Sequence, residues 1–191
     1  MIVEQLIRQN RSYRRFYQDY YIATGNLKYF VNLARLSPSA QNLQPLKYYI
    51  SNEKEPNEKI FKCLKWAGYL TDWEGPEDGE KPAAYILILG DTTIGTKFRC
   101  DHGIAAQSIL LGAVEKGFGG CIIASVDKDK LRKELSIPDN LEILLAIALG
   151  KPKETVLLEE IDQEGNIKYW RDEKKIHHVP KRKLEDIIIN L

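Results

Sequence analysis

Cysteine is scarce in this chain. Cys63, Cys100 and Cys121 are odd in number and far apart, which excludes a disulfide framework or a C-x-x-C zinc site. Long apolar runs are missing too: none approaches the ~18–20 residues a membrane span needs. Neither sign of charge is in excess, with 28 Lys+Arg against 27 Asp+Glu, so the protein as a whole is no polycation for nucleic acid. The stretch MIVEQLIRQNRSYRRF places its charges behind a short apolar pair, the reverse of a signal peptide. We expect a soluble, cytoplasmic protein with neither membrane nor nucleic acid as a partner.

The usual chemical signatures are absent as well. No G-x-G-x-x-G follows a strand; Gly117-Phe118-Gly119-Gly120 precedes one. There is no P-loop, no G-x-S-x-G elbow and no H-E-x-x-H. Asp101 and His102, adjacent at the start of a helix, point ~100° apart and form no catalytic dyad. Cys100 and Cys121 read as small core residues. His177-His178 reads as a surface or phosphate-proximal pair. No metal and no catalytic side chain is expected.

What remains is a patterned chain of 191 residues with 43% apolar content, enough for one core and one domain over 1–191. Apolar spacing predicts helices over 2–9, 27–36, 59–66 and 98–116, the last apolar almost all round. Asp127 reads as the N-cap of a further helix ending at Leu135. Strands are expected at 46–51, 83–90, 120–124 and 141–149, the last ended by Gly150-Lys151-Pro152. Strands alternating with helices predict an α/β or α+β layered core. From residue 153 the chain turns charge-rich. Its apolar residues, among them Leu157, Leu158, Tyr169 and Trp170, have nothing local to cover them. Residues 153–191 therefore read as an arm packing on another subunit.

Two basic clusters suit a phosphate: Arg8, Arg11, Ser12, Arg14 and Arg15, and Lys181-Arg182-Lys183. Helical i, i+3 spacing would make Arg11 and Arg14 converge. Between the clusters lies Ser37-Pro38-Ser39-Ala40-Gln41-Asn42-Leu43-Gln44-Pro45, a stiff, amide-rich loop suited to the edge of a flat heterocycle.

Four elements occur in one order: Arg11-Ser12-x-Arg14, Pro38-Ser39-Ala40-x-Asn42-x-Gln44-Pro45, Asp101-x-Gly103-x-Ala105-Ala106-Gln107, and Gly117-x-Gly119. Together they resemble the FMN-dependent nitroreductase family. The resemblance implies a three-layer α/β/α fold of the α+β class, with a mostly antiparallel central sheet and a C-terminal arm exchanged in a homodimer. It implies FMN at the dimer interface. Arg11, Ser12 and Arg14 would hold the phosphate and ribityl chain, joined by Lys181 or Arg182. Pro38, Ser39 and Asn42 of the other subunit would face the ring, and the turn at Ala124-Ser125 would offer backbone N–H groups. Asn10 stands where many members carry a second arginine, and Ala124-Ser125 where many have two glycines.

The implied activity is hydride transfer from NADH or NADPH, through flavin N5, to a nitroaromatic, quinone or similar small acceptor in a ping-pong cycle. A non-catalytic flavin-binding protein, or flavin cleavage or dehalogenation on the same fold, are the alternatives. Trp66, Tyr69 and Trp73, in a turn-rich stretch, read as an aromatic lid that stacks on the acceptor.

Overall fold

A computed structural model of the chain describes residues 2–162 and 164–190. Five strands form the central sheet: β1 (Phe16–Tyr17), β2 (Leu46–Ser51), β3 (Ala84–Asp91), β4 (Gly119–Ile123) and β5 (Leu141–Pro152). β5 is the hub, pairing antiparallel with β3 on one side and with β4 and β1 on the other, while β2 closes the far edge on β3. All eight residues of β3 are buried, as its unbroken apolar run predicts. Opposite β3, a bulge at Ile88/Leu89 shifts the register of β5.

The alternation of β3 sorts its side chains onto two cores. Ile86 and Ile88 meet Leu27 and Phe30 of α2 (Thr24–Leu36) and Ile109 of α4 (Asp101–Glu115). Tyr85 and Leu87 meet Ile60 of α3 (Lys54–Phe61) and Leu131 of α5 (Lys128–Leu135). Each large side chain fully buried this way contributes roughly 1.5–3 kcal/mol. Helix, sheet, helix: the three expected layers are present. The close approach of α4 to α2 depends on Gly112, where a Cβ would lie 2.3 Å from Leu33 Cδ1.

Local chemistry accounts for the boundaries. α2 stops where Ser37 precedes Pro38, and Ser37 Oγ donates to Leu33 O at 2.9 Å. α5 starts at Asp127, whose carboxylate accepts from Lys130 N at 3.1 Å. α1 (Val3–Gln9) buries no residue of its own.

Four expectations need correcting. The helix expected at 59–66 is α3, five residues earlier. Pro56 fits its first turn, where the missing N–H has no partner to lose, while Leu64 leaves the helix to bridge Val126. The helix expected from residue 98 begins at Asp101. β5 runs on through Gly150 to Pro152 because Phe16 and Tyr17 pair with Pro152 and Lys151. The segment after 153 is covered only in part: Tyr169 packs on Tyr69 and His177, while Leu157, Leu158 and Trp170 stay exposed. β6 (Val156–Glu160) and β7 (Trp170–Arg171) flank β8 (His177–Lys181) in a second sheet, β6 parallel to β8 and β7 antiparallel. There Trp170 stacks on His178 with ring centroids 4.0 Å apart.

Candidate functional site

Residues Arg11 to Tyr13 lie extended along the free side of β4. Ser12 bridges Gly120 in parallel, and Tyr13 N donates to Gly120 O at 3.0 Å. The approach requires glycine at the neighbouring position: a Cβ on Gly119 would lie 2.5 Å from Tyr13 Cδ2. Arg11 and Arg14 are thus not on a helix, and the expected i, i+3 convergence is absent because α1 ends at Gln9. Asn10 Nδ2 donates to Gln107 Oε1 at 3.1 Å, so this asparagine ties the end of α1 to α4.

The basic cluster divides by its partners. Arg8 pairs with Glu4 on α1. Arg15 is bound to Glu80, joined there by Lys153 Nζ at 3.1 Å; the Arg15 hydrogen bond above all holds the Glu80 carboxyl down at about 2. Arg11 and Arg14 have no carboxylate on their guanidinium groups among the described residues. Arg11 Nη2 donates to Ile7 O at 2.7 Å, while its Nε is buried without a partner. Burial lowers the pKa of Arg11. A half-buried cation with an idle donor is what an anion would complete.

Arg14 is turned the other way. Its Nη1 reaches Ser12 O and His177 Nε2, each at 3.2 Å, and its guanidinium lies 4.8 Å over the Tyr169 ring. His177, expected at the surface or near a phosphate, is not at the surface: β8 carries it inward and it is buried. His178 sits between Glu159 and Asp172. Lys181 and Arg182, at the end of β8, are exposed and make no hydrogen bond or ion pair with Arg11, Ser12 or Arg14 among the described residues.

The loop after α2 forms a second cluster. Pro38 and Asn42 are exposed and Ser39 half-buried. A short 3-10 turn spans Ala40–Asn42, and Gln41, Asn42 and Gln44 all have positive φ, at 56°, 53° and 53°. Asp101 closes the loop: its Oδ2 accepts from Ser39 Oγ at 2.6 Å and its Oδ1 from Ala40 N at 3.0 Å. A cavity of about 160 Å³ beside it is lined by Pro38, Ser39, Tyr48 and Asp101. Burial, aided by the Asp101 charge, pushes the Tyr48 hydroxyl up to about 12. Among the described residues, no hydrogen bond or ion pair within the chain joins this loop to Arg11 or Arg14.

Ala124 and Ser125 form the exposed turn that ends β4, where Ser125 O accepts from Lys65 N at 3.0 Å. The lid aromatics spend their faces on the protein itself. Trp66 packs on Phe61 at 5.8 Å, Tyr69 on Tyr169 at 5.0 Å, and Arg171 covers Trp73 at 4.7 Å. Arg171 in turn reaches Glu154 Oε2 at 3.0 Å. Glu154, Arg171 and Asp101 do not stand out in the sequence as structural partners. Nothing in a charge-rich segment marks Glu154 as the buried carboxylate, and Asp101 shows its role only through a contact with Ser39.

The family model for Nitroreductase matches residues 7–68 and 81–151. A Bacillus subtilis (strain 168) protein, MhqN, assigned by name to the NAD(P)H nitroreductases, is 26% identical over 181 residues, covering 78% of this chain and 87% of its own. A solved FMN-dependent nitroreductase from Clostridium difficile R20291 is 23% identical, covers 78% of this chain and 86% of its own, and superposes with a TM-score of 0.65. A nitroreductase family protein from Streptococcus pneumoniae TIGR4, 16% identical, covers 100% of both chains at a TM-score of 0.73, so the shared fold includes the C-terminal sheet. A three-layer α+β protein of this kind is an oxidoreductase scaffold. The chain belongs to the nitroreductase family.

Proposed function

We propose that the protein is an FMN-dependent oxidoreductase that uses NADH or NADPH to reduce a nitroaromatic, a quinone or a similar small acceptor. It works as a cytoplasmic homodimer in which each acceptor follows the nicotinamide into one pocket, a ping-pong order. The observation that carries the reading is Arg11: a half-buried guanidinium with no carboxylate among the described residues and an orphaned Nε, next in the chain to Ser12, which bridges Gly120 on the free side of β4. These donors fit a phosphate. The names of MhqN and of the Clostridium difficile nitroreductase point to the same chemistry.

When bound, the flavin would supply hydride transfer, which suits a site without an acid–base pair. The chain would supply the grip. Arg11 and Ser12 hold the phosphate, Arg14 lends the donors not taken by Ser12 O and His177, and Lys181 or Arg182 adds charge from the end of β8. Pro38, Ser39 and Asn42 of the second copy frame the ring, and Ala124-Ser125 border it from β4.

An absorbance spectrum of the purified protein, followed by anaerobic additions of NADH and NADPH, tests the reading. We expect flavin absorbance that bleaches with at least one nucleotide, and FMN bound far more tightly than riboflavin. Arg11→Ala should weaken FMN about 10- to 150-fold, the worth of one charge-assisted phosphate bond at ~1.5–3 kcal/mol. Equal affinity for FMN and riboflavin, or an unaltered Arg11→Ala, overturns it.

A further inference from the structure

Asp101 is the first residue of α4, yet it does not cap its own helix. It is 5% exposed and forms no ion pair among the described residues. Both carboxylate oxygens turn instead to the loop after α2, taking the Ser39 hydroxyl and the Ala40 N–H. Ser39 Oγ then accepts from Gln44 N at 2.9 Å, so one hydroxyl relays the carboxylate across the whole loop. Gln44 Nε2 closes the inner turn on Asn42 O and Oδ1, each at 3.1 Å.

The loop needs this help. Gln41, Asn42 and Gln44 are left-handed without being glycine, a backbone that asparagine tolerates but that is unfavourable for the two glutamines. Such a conformation persists only where its surroundings over-determine it. Asp101 stands at the N-terminal end of α4, where the helix favours an acidic side chain, and each of its oxygens serves one donor of the loop.

We propose that Asp101 is a positioning residue that, through Ser39, sets the shape of the 39–44 loop which faces the flavin; this rests on the function proposed above. A consequence concerns Ser39 itself. Its single proton is given to Asp101 and its lone pair to Gln44 N, so its hydroxyl has no hydrogen left for a cofactor. Ser39 belongs to the frame, and Asn42 is among the exposed side chains the loop presents.

Two readouts on the whole protein test this. Hydrogen exchange of the cofactor-free protein should quicken in segment 39–45 in Asp101→Ala and in Ser39→Ala, with β3 and β5 unchanged. FMN titration should show each variant weakened about tenfold, with the double variant no worse than either single one. Ser39→Thr, which keeps the hydroxyl, should restore both. If Asp101→Ala does not fold, Ser39→Ala removes the same relay from the loop side. A loosened loop with wild-type FMN affinity, additive losses in the double variant, or wild-type exchange in both single variants overturns the proposal. Failure of the wild-type protein to bind FMN ends the cofactor reading itself, and is seen before any variant is made.

Discussion

Arg14 Nη1 lies 3.2 Å from His177 Nε2. A guanidinium can only donate, so the imidazole must accept there and be neutral, with its proton on Nδ1. Burial first, then the charges of Arg14, Arg171 and His178, lower His177 to about 4.

The pH dependence of stability follows in sign. His177 titrates lower folded than its ordinary 6.5, so the unfolded chain takes its proton first. Its contribution is complete above 6.5 and is lost as pH falls toward 4. His178 is opposite: Glu159 above all, and Asp172, raise it, so its contribution is present below 6.5 and lost as pH rises through its elevated value. Urea midpoints of wild type and His177→Asn, compared between pH 7 and 4.5, isolate the first effect. The wild type should lose more stability than the variant over that interval; parallel curves would show that His177 is not neutralised by the fold.

Glu154 is the anchor of the C-terminal sheet. Its side chain is wholly buried and accepts from Arg14 N, from Arg15 N at 3.2 Å and from Arg171 Nη2 at 3.0 Å. Truncating it strands Arg171 as a buried cation, a loss of about 3–5 kcal/mol. Glu154→Ala should therefore unfold at much lower urea than wild type, and Glu154→Gln, which keeps an acceptor, at an intermediate value. A change below about 1 kcal/mol in Glu154→Ala would mean that the sheet docks by its aromatic contacts alone.

What is legible in the sequence is what local pattern dictates. β3 reads as a strand because its run is apolar throughout, α5 as a helix because Asp127 caps it. The Pro38–Pro45 loop reads as a recognition element from its residue types. What is illegible rests on distant pairings. Asp101 and Ser39 are 62 residues apart and Glu154 and Arg14 140, so neither clamp leaves a local mark. The pattern misplaces α3 because Leu64 continues the apolar spacing of Ile60 while pairing with Val126 instead. It misses the C-terminal sheet because the cover comes from Tyr69 and Trp73, far back in the chain.

Gly120 should tolerate no side chain. A Cβ there meets Ala148 O at 2.5 Å and Leu110 Cδ2 at 2.7 Å, and the first is backbone of the strand it pairs with. Gly120→Ala should cost about 1–3 kcal/mol by overpacking. It should also weaken FMN, because Ser12 is bridged to that residue. Thermal unfolding and FMN titration measured together check both. Unchanged FMN affinity in a destabilised variant would detach Ser12 from the cofactor site.

The assembly is the last test. Uncovered apolar surface is present on 153–175, at Leu157, Leu158, Ile167 and Trp170, and continues farther along: Leu184, Ile187, Ile188 and Ile189 are all exposed, Ile189 at 75%. Ile2, Val3 and Ile7 at the N-terminal end, and Ile104 on α4, are exposed too. Leaving each large apolar side chain in water forgoes about 1.5–3 kcal/mol, so these patches favour a mate. We expect a homodimer burying more than ~2,000 Å², with the C-terminal segment lying across the second copy. Sedimentation should give twice the 21.9 kDa of one chain. Deleting residues 184–191 should shift the protein toward monomer and, on the proposed function in which the second copy frames the ring, release FMN at the same time. A monomer that keeps FMN, or a dimer untouched by the deletion, would place the interface elsewhere.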